Sequence, residues 1–341
     1  MKAYTSNNIR NIAVLGHGGK GKTTLCEAML YIAGASDRLG RVADGNTVLD
    51  FDSEEKRRKS SVSSAIAALE WDNTKLNIID APGLFDFEGG AAEAVRAAEA
   101  VLIVTSAGSG VDVGTEKAFR AAEKKGAAKF FAVTKTDSDH RNFYKTFDAL
   151  KEVYGNKLCP TIIPYMEGNI TKCYVNLMTG MAFSYDENGK ATKVPVPEDS
   201  VIEEMTSAFM EAVATTDDAL MEKFFEGEKF TKEEILKGLC IGIFDGSIYP
   251  VYAVSGLTCA GVDQLLYGLA WSAPGAFGYA GEKCTYENGE EGILPCDENG
   301  PLAAVCFKTI ADPFVGKMSF FKVVSGKLAP DTAAYNFRTG E

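Results

Sequence analysis

Residues Gly16–Thr23, with the sequence GHGGKGKT, have the types and spacing of a loop that binds phosphate groups. The segment fits the pattern G-x-x-x-x-G-K-[ST], whose glycines let backbone N–H groups close on phosphate oxygens. We expect Lys22 to reach the β- and γ-phosphates of a nucleotide and the Thr23 hydroxyl to ligate Mg²⁺. The alternative is a glycine-rich turn that binds nothing. The residues expected to contact the nucleotide here are His17, Gly18, Gly19, Lys20, Gly21, Lys22, Thr23 and Thr24.

Asp80-Ala81-Pro82-Gly83 follows a predicted strand at its carboxyl end, where ligands of open α/β sheets bind. Alone, Asp-x-Pro-Gly is an ordinary turn sequence. Next to a phosphate loop it is typical of a metal-binding carboxylate followed by a segment that responds to the γ-phosphate. We therefore expect Asp80 to hold Mg²⁺ through a water and the Gly83 N–H group to sense the γ-phosphate.

Thr134-Lys135-Thr136-Asp137 comes at the end of another predicted strand and indicates which base is bound. The Asp137 carboxylate can accept two parallel hydrogen bonds from the ring N–H and exocyclic amine of guanine, whereas adenine offers no amine there. Lys135 can lay its aliphatic stem along the base. Lys-x-Asp alone is common on solvated loops, and its place after a strand is what favours guanine. Backbone donors to the guanine carbonyl are expected from Ser255, Gly256 and Leu257.

The elements that must position these residues alternate between short apolar runs and helical periods, which is the pattern of βαβ units and a mainly parallel sheet. Val101–Val104 is apolar without alternation, as expected for a strand covered on both faces. Apolar residues from Leu25 to Ile32 recur at helical spacing and predict a helix that Gly34 closes. Another helix is predicted over about 115–125. The predicted strands are Ile12–Leu15, Leu76–Ile79, Val101–Thr105, Phe130–Thr134 and Val251–Ser255.

The middle and the end of the chain predict further domains. Strand-like pieces, a turn at Asn188-Gly189 and helical segments around Ile202–Val213 and Lys232–Leu239 indicate an α+β subdomain inserted between two strands of the sheet. A linker rich in Gly, Ala and aromatic residues is predicted at Ser272–Gly281. Two strands follow, too few to close a sheet or barrel, so we expect a fragment of a longer protein. These two strands are Leu302–Thr309 and Lys317–Val324, and the expected domains are 1–157 with 247–277, 158–246, and 278–341.

Composition places the chain among globular proteins and narrows its partners. The 341 residues are 46% hydrophobic and 24% charged, and the net charge of -12 disfavours a protein whose whole surface binds nucleic acid. No run approaches the ~20 apolar residues of a membrane span, and the first residues have no signal-peptide core. Eight scattered cysteines without a CxxC pair, and only two histidines, argue against a zinc site and for a reduced, cytoplasmic protein.

In order and spacing, these segments resemble the translational GTPases, and within them elongation factor G and its type II paralogues. Gly16–Thr24 resembles the family's G-H-x-x-x-G-K-T-T, Asp80–Phe87 its D-x-P-G-x-x-D-F, and Thr134–Asp137 its N-K-x-D. Gly45–Asp50 resembles the start of switch I, and Gly108–Ala118 the segment after the fourth strand. The resemblance covers nearly the whole chain. It implies an α/β P-loop GTPase domain with a mainly parallel sheet, an inserted α+β subdomain and the start of a β-barrel domain.

The sequence departs from the family in the residues that would position the attacking water. The histidine that usually follows D-x-P-G is Leu84 here, and the apolar residues that usually flank it are matched by Gly18 and Ser60. The Mg²⁺-binding threonine of switch I appears as Ser61, and the base-motif asparagine as Thr134. We therefore expect binding to be retained and the water-positioning apparatus to be absent. The resemblance assigns catalytic roles to Lys22, Thr23, Ser61, Asp80 and Gly83, with Thr23, Ser61 and Asp80 as the metal ligands.

These features predict a monomeric, GTP- or GDP-binding, Mg²⁺-dependent GTPase that acts on the ribosome and has no DNA or membrane partner. One alternative is a GTP-dependent ribosome-binding switch or ribosomal protection protein with negligible hydrolysis, which Leu84 favours. Another is a P-loop ATPase or kinase, which Thr134–Asp137 disfavours. The basic run Lys56–Lys59 lies inside the expected switch I. It is interpreted either as a solvated loop or as a contact with the ribosomal RNA backbone.

Overall fold

The computed structural model describes residues 2–138, 142–276, 281–286, 288–312 and 314–340. The chain divides into two compact units, one up to Gly275 and the other from Ala276. The strands of the first unit are β1 (Ile9–Leu15), β2 (Ala65–Trp71), β3 (Thr74–Asp80), β4 (Ala100–Ser106), β5 (Ala128–Thr134), β6 (Leu158–Glu167), β7 (Ile170–Asn176), β8 (Met181–Tyr185), β9 (Ala191–Val194) and β10 (Tyr249–Ala253). Its helices are α1 (Lys22–Ile32), α2 (Ser53–Arg58), α3 (Glu88–Ala97), α4 (Val113–Lys125), α5 (Phe143–Tyr154), α6 (Ser200–Ala214), α7 (Asp218–Glu226), α8 (Lys232–Asp245) and α9 (Val262–Ser272).

The strands of the first unit form one 10-stranded sheet in the order β2-β3-β1-β4-β5-β10-β6-β7-β8-β9. Strands β3, β1, β4, β5, β10 and β6 are parallel to one another, while β2 pairs antiparallel with β3 at one edge. All five strands predicted from apolar runs are present, with bounds that differ by a few residues. The expected α/β fold with a mainly parallel sheet is confirmed. No helix among the described residues combines the length and apolarity of a membrane crossing.

The core of this unit lies at the centre of the sheet and around α1, in which every residue from Leu25 to Leu30 is buried. Every residue of β4 and β5 is buried, as the continuous apolar run in the sequence predicts. On α1, Leu25 and Met29 are fully buried. The chain leaves this helix at Gly34, which has a φ of 69° and donates its N–H to the carbonyl of Tyr31 at 3.0 Å. A positive φ costs glycine little, which explains the residue at this position.

The inserted segment shares this sheet instead of forming one of its own. Strand β6 pairs parallel with β10, and β7, β8 and β9 continue the sheet antiparallel from β6. The predicted turn at Asn188-Gly189 lies between β8 and β9, and the predicted helical segments lie in α6 and α8. Helix α7 was not predicted from the sequence. The main sheet is therefore continuous with the strands of the insertion.

The described residues of the second unit form two antiparallel strand pairs. Strands β11 (Glu282–Thr285) and β12 (Glu291–Leu294) form one pair, and β13 (Ala303–Asp312) and β14 (Gly316–Ser325) form the other. The two strands predicted in this region correspond to β13 and β14. The structure thus contains the antiparallel start of a barrel domain, as expected. Part of the predicted linker, residues 277–280, lies outside the described residues.

Candidate nucleotide-binding site

The loop between β1 and α1 folds around the side chain of Lys22. Gly16 and Gly21 have φ angles of 143° and 87°, which glycine adopts readily. A Cβ on Gly16 would lie 2.2 Å from the carbonyl oxygen of Val104 in β4, so a side chain does not fit there. The Nζ atom of Lys22 donates to the carbonyls of Gly16 and His17, each at 3.0 Å. The lysine is thus held inside the loop, where backbone carbonyls accept its hydrogen bonds.

Four oxygen-bearing side chains from separate parts of the chain meet beside this loop. Thr23 Oγ1 donates to Asp80 Oδ2 at 2.6 Å and lies 3.1 Å from Ser61 Oγ. Ser61 Oγ donates in turn to Asp50 Oδ1 at 2.7 Å. All four side chains are buried. The structure therefore brings together the three residues that sequence analysis proposed as metal ligands and adds a second carboxylate to them.

This cluster fits a hard divalent cation such as Mg²⁺, which prefers hydroxyl and carboxylate oxygens. Asp80 Oδ1 and Asp50 Oδ2 are buried and accept no hydrogen bond from the residues that the structure describes. Burial raises the pKa of Asp80 to about 7, although the hydrogen bond from Thr23 lowers it. Burial also raises the pKa of Asp50. A cation between the two carboxylates would stabilise their ionised forms, which are costly at this depth without one.

Two buried glutamates anchor the segment Asp50–Ser61, which lies within the expected switch I. Glu27 of α1 accepts hydrogen bonds from the backbone N–H groups of residues 48–49 at 2.8 and 2.9 Å. Glu55 of α2 accepts from those of residues 62–63 at 3.0 and 3.3 Å. Glu27 thus ties the start of the segment to α1, and Glu55 ties its end to α2. The position of the Ser61 hydroxyl therefore depends on the backbone that the glutamates fix.

Gly83 and Leu84 lie directly against the phosphate loop. A Cβ on Gly83 would lie 2.2 Å from Lys22 Nζ and 2.8 Å from the backbone nitrogen of Gly18, so only glycine fits. Leu84 Cδ2 lies 3.1 Å from the position that a Cβ on Gly18 would take. The leucine packs over the loop and remains 40% exposed. Its side chain places methyl groups, without any polar atom, beside the loop.

The loop after β5, which was predicted to contact the base, is joined to the phosphate loop by two side chains. Thr134 Oγ1 donates to the carbonyl of Lys20 at 2.6 Å. Lys135, whose φ is 61°, donates from Nζ to the carbonyl of Gly19 at 2.7 Å. Asp137 is exposed to solvent. The lysine stem and the carboxylate are thus presented on the same short loop.

The other loop expected to contact the base, Ser255–Leu257, follows β10. The N–H group of Ser255 donates to the carbonyl of Ala260 at 2.9 Å, which closes the loop. A Cβ on Gly256 would lie 3.0 Å from the carbonyl carbon of Thr24, so the loop rests on the first turn of α1. Leu257 is half-exposed. The loop therefore lies beside the phosphate loop, as its predicted role requires.

The side chains of His17 and Lys20 bind the phosphate loop to neighbouring segments. Lys20 Nζ lies 3.0 Å from Asp112 Oδ2 at the start of α4, and the His17 ring contacts the Phe85 ring edge-on at a centroid distance of 5.6 Å. A Cβ on Gly114 would lie 2.5 Å from the Cα of His17. Both side chains therefore have partners within the protein.

Three residues of this site were not identified from the sequence. Asp50 was noted only as the end of a segment similar to switch I, and Asp112 only within a segment after the fourth strand. Thr136 occupies the unspecified position of Lys-x-Asp, and its buried hydroxyl donates to the carbonyl of Val254, directly before the Ser255–Leu257 loop. The feature of the sequence that could have pointed to Asp50 is its position between the segments that carry Thr23 and Ser61.

Comparisons with known proteins agree with this geometry. The family model of the elongation factor Tu GTP-binding domain matches residues 7–274. Proteins named elongation factor G-like protein, from two strains of Mycobacterium tuberculosis (CDC 1551 / Oshkosh and ATCC 25618 / H37Rv), are each 32% identical over 331 residues. The crystal structure of a Thermus thermophilus protein is 33% identical and superimposes with a TM-score of 0.83, covering 95% of this chain and 46% of that one. The chain belongs to the elongation factor G-like translational GTPases.

This member of the elongation factor G-like GTPases spans less than half the length of those relatives. The alignment with the Mycobacterium tuberculosis proteins covers 96% of this chain and 46% of each relative. The match includes both compact units. The similarity therefore extends through the GTP-binding domain, the insertion and the start of the barrel.

The basic run Lys56–Lys59 lies mainly on a helix. One interpretation of the sequence had placed it on a solvated loop. Residues up to Arg58 belong to α2, and Lys59 ends the helix with a φ of 54°. Arg57 donates to Glu54 at 2.6 and 2.8 Å, and Arg58 also pairs with Glu54. The Arg58 guanidinium lies over the Phe87 ring, 5.9 Å from its centroid. One carboxylate thus balances part of the positive charge of the run.

Proposed function

We propose that this chain binds GTP together with Mg²⁺ and hydrolyses it, as the GTP-driven part of a monomeric cytoplasmic factor that acts on the ribosome. The observation that carries the proposal is the buried cluster of Thr23, Ser61, Asp50 and Asp80 beside Lys22. The hydroxyl and carboxylate oxygens of this cluster are the ligand atoms that Mg²⁺ prefers. Each of its two carboxylates keeps one oxygen without a hydrogen bond from the described residues. Membership in the elongation factor G-like GTPases supports the ribosome as the partner.

Three residues of the cluster, together with Lys22 and Gly83, have defined tasks in this proposal. Thr23, Ser61 and Asp80 would hold Mg²⁺. When bound, Mg²⁺ supplies positive charge that neutralises the β- and γ-phosphates. Lys22 exchanges its carbonyl partners for phosphate oxygens, and the Gly83 N–H group donates to the γ-phosphate. The order of the two switch segments then depends on that phosphate.

Selection of guanine falls to the two loops that follow β5 and β10. Asp137 accepts the ring N–H and the exocyclic amine of guanine, and the Lys135 stem covers one face of the base. Backbone N–H groups of Ser255–Leu257 donate to the guanine carbonyl. The loop after β5 is joined to the phosphate loop, and the loop after β10 rests on α1. This arrangement supports a single nucleotide that contacts both loops and the phosphate loop.

The second candidate function is a GTP-dependent ribosome-binding switch or ribosomal protection protein with negligible turnover. The position of Leu84 favours it, because the leucine packs over Gly18 and brings no group that can bind the attacking water. In the family, that position usually holds a histidine. We expect the isolated chain to bind GTP and to turn it over very slowly.

Single-turnover hydrolysis of GTP with and without ribosomes distinguishes the two candidates. Acceleration by ribosomes supports the GTPase, whereas bound GTP that stays intact on the ribosome supports the switch. Leu84→His should raise the ribosome-stimulated rate if the rest of the site retains the family's geometry. Fast hydrolysis by the unmodified protein without ribosomes would show that another residue positions the water.

Salt dependence of ribosome binding tests the partner surface on α2. A variant with alanine at Lys56, Arg57, Arg58 and Lys59 should bind ribosomes more weakly and with a shallower dependence on salt, because fewer phosphate contacts release fewer counterions. An unchanged salt slope would remove ribosomal RNA as the partner of this helix.

A further inference from the structure

The hydroxyl of Thr136 joins the two base-recognition loops to the inserted segment. Thr136 is 3% exposed, and its Oγ1 donates to the carbonyl of Val254 at 3.0 Å, directly before the Ser255–Leu257 loop. The same oxygen lies 2.7 Å from the hydroxyl of Tyr174. Since the threonine hydrogen is used toward Val254, the tyrosine donates to the threonine oxygen. One buried hydroxyl therefore connects both loops to strand β7.

Strand β7 contacts this loop a second time, and the tyrosine is itself well fixed. Thr171 Oγ1 donates to the carbonyl of Thr136 at 2.8 Å. Tyr174 is 4% exposed, and its ring meets Tyr185 edge-on at 5.6 Å. Tyr185 donates from its hydroxyl to Asp263 at 2.6 Å. The donor that reaches Thr136 thus comes from a packed side chain in the sheet, which restricts where the loop can lie.

We propose that Tyr174 and Thr171 of the inserted segment are positioning residues for guanine selection, an inference that rests on the proposed function. The carboxylate of Asp137 follows Thr136 directly and is exposed, so the bonds that Tyr174 and Thr171 make to Thr136 fix the backbone beside it. Accepting two hydrogen bonds from one base requires a narrowly defined carboxylate position. The insertion thus contributes to base selectivity without touching the nucleotide.

Tyr174→Phe tests this inference, because it removes the hydroxyl and keeps the ring. Dissociation constants are measured for GTP and for inosine triphosphate, which lacks the exocyclic amine of guanine. Displacement of Asp137 should weaken GTP binding most, because the carboxylate makes two hydrogen bonds to guanine and only one to the base of inosine triphosphate. GTP affinity should therefore fall by about three- to tenfold, the effect of one lost hydrogen bond. Affinity for inosine triphosphate should fall less, so that the preference for GTP shrinks.

The matched control is Tyr185→Phe, which removes the neighbouring hydroxyl that bonds Asp263 and the Gly261 backbone and does not bond Thr136. It should leave the preference for GTP unchanged even if it lowers stability. Thr136→Val should reproduce the loss of preference, and Thr136→Ser, which keeps the hydroxyl, should preserve it. These two variants decide the matter if Tyr174→Phe fails to fold.

Two outcomes separate this inference from the function beneath it. If the unmodified chain prefers GTP and neither Tyr174→Phe nor Thr136→Val alters the preference, the positioning role is wrong and the proposed function stands. If the unmodified chain does not distinguish GTP from inosine triphosphate, Asp137 does not bind the amine. In that case both the guanine assignment and this inference are overturned.

Discussion

At the scale of single residues, Asp80 is a buried carboxylate whose ionised form is costly. Its carboxylate is buried, accepts one hydrogen bond from Thr23 and keeps a second oxygen without a partner among the described residues. Burial accordingly raises its pKa to about 7, from 3.8. Such a group favours a proton in the absence of a cation and releases it when a cation binds.

The raised pKa of Asp80 predicts that the metal-free, nucleotide-free chain loses stability as the pH rises. Between about pH 4 and 7 the folded state binds more protons than the unfolded state, so the free energy of unfolding falls with increasing pH. The urea midpoint in the presence of EDTA should be lower at about pH 8 than at about pH 5. Both tryptophans of the chain, Trp71 and Trp271, lie in the first unit, so their fluorescence reports on it.

Asp80→Asn is the control for this pH dependence, because it keeps the shape and removes the titrating group. Its midpoint should vary less with pH, while Asp50 and Glu27, whose pKa values burial also raises, retain a smaller slope of the same sign. A flat profile for the unmodified chain, or an equal slope in both proteins, would contradict the assignment.

Asp137 should determine the base. Asp137→Asn places an amide donor opposite the guanine amine, so GTP affinity should fall on the order of a hundredfold, as expected when charged hydrogen bonds are lost. Xanthosine triphosphate, which has an oxygen at that position, should gain affinity. Titration of both nucleotides against the variant gives the result. A variant with normal GTP affinity would show that Asp137 does not contact the base.

The site residues that could be predicted from sequence spacing are those that lie close to one another in the sequence. Gly16–Thr23 is recognisable because its glycines, lysine and threonine act from one loop. Asp50 acquires its role only when folding brings Ser61 and Thr23, which are 38 residues apart, together. Thr136 occupies the variable position of the Lys-x-Asp pattern, and its contact with Tyr174 also spans 38 residues. Contacts over such distances are set by tertiary structure and leave no local pattern.

At the scale of elements, the short helix α2 fixes switch I through its capping box. The Asp52 side chain accepts from the backbone of residue 54, and Glu55 accepts from the N–H group of Asp52 at 3.3 Å. Glu55 also accepts from the backbone of residues 62–63, next to Ser61. One buried glutamate, 2% exposed, thus both caps the helix and holds the segment with the candidate ligand.

Glu55→Ala should therefore release switch I. Three backbone donors lose their acceptor, which costs about 1–3 kcal/mol locally, so trypsin should cleave at Lys56–Lys59 roughly tenfold faster, and GTP should bind more weakly. Glu54→Ala is the matched control, because Glu54 pairs with Arg57 and Arg58 at the surface, where such pairs contribute little. Equal cleavage rates in the two variants would contradict an anchoring role for Glu55.

The helices and strands that could be predicted from the sequence are those with a strong hydrophobic pattern. Strands β4 and β5 are buried throughout and stood out as apolar runs. Strand β2 was missed because only Ala65 and Leu69 in it are buried, a spacing that is neither continuous nor alternating. Helix α7 buries only Leu220, and its pattern is correspondingly weak. The joining of the insertion to the main sheet depends on pairing between β6 and β10, which no local pattern encodes.

At the scale of the whole molecule, the sheet connects the inserted segment with the nucleotide site. Strand β10 leads into one base-recognition loop, β5 leads into the other, and β7 contacts the second of these through Tyr174 and Thr171. Hydrogen bonds therefore join the insertion to both loops that are proposed to bind the base. The measurement of that coupling is the change in GTP preference proposed above.

Competition between GTP and ATP for the unmodified chain is the decisive measurement for the proposed magnesium–guanine-nucleotide site. A fluorescent GTP analogue is bound in Mg²⁺ and displaced with each nucleotide, and the titration is repeated with EDTA. GTP should displace the analogue at far lower concentration than ATP, because Asp137 accepts two hydrogen bonds from guanine alone. Binding should be weaker without Mg²⁺, because no cation then neutralises the phosphates beside Asp80 and Asp50. Equal affinities for GTP and ATP would contradict the guanine site, and binding unaffected by EDTA would contradict the magnesium cluster.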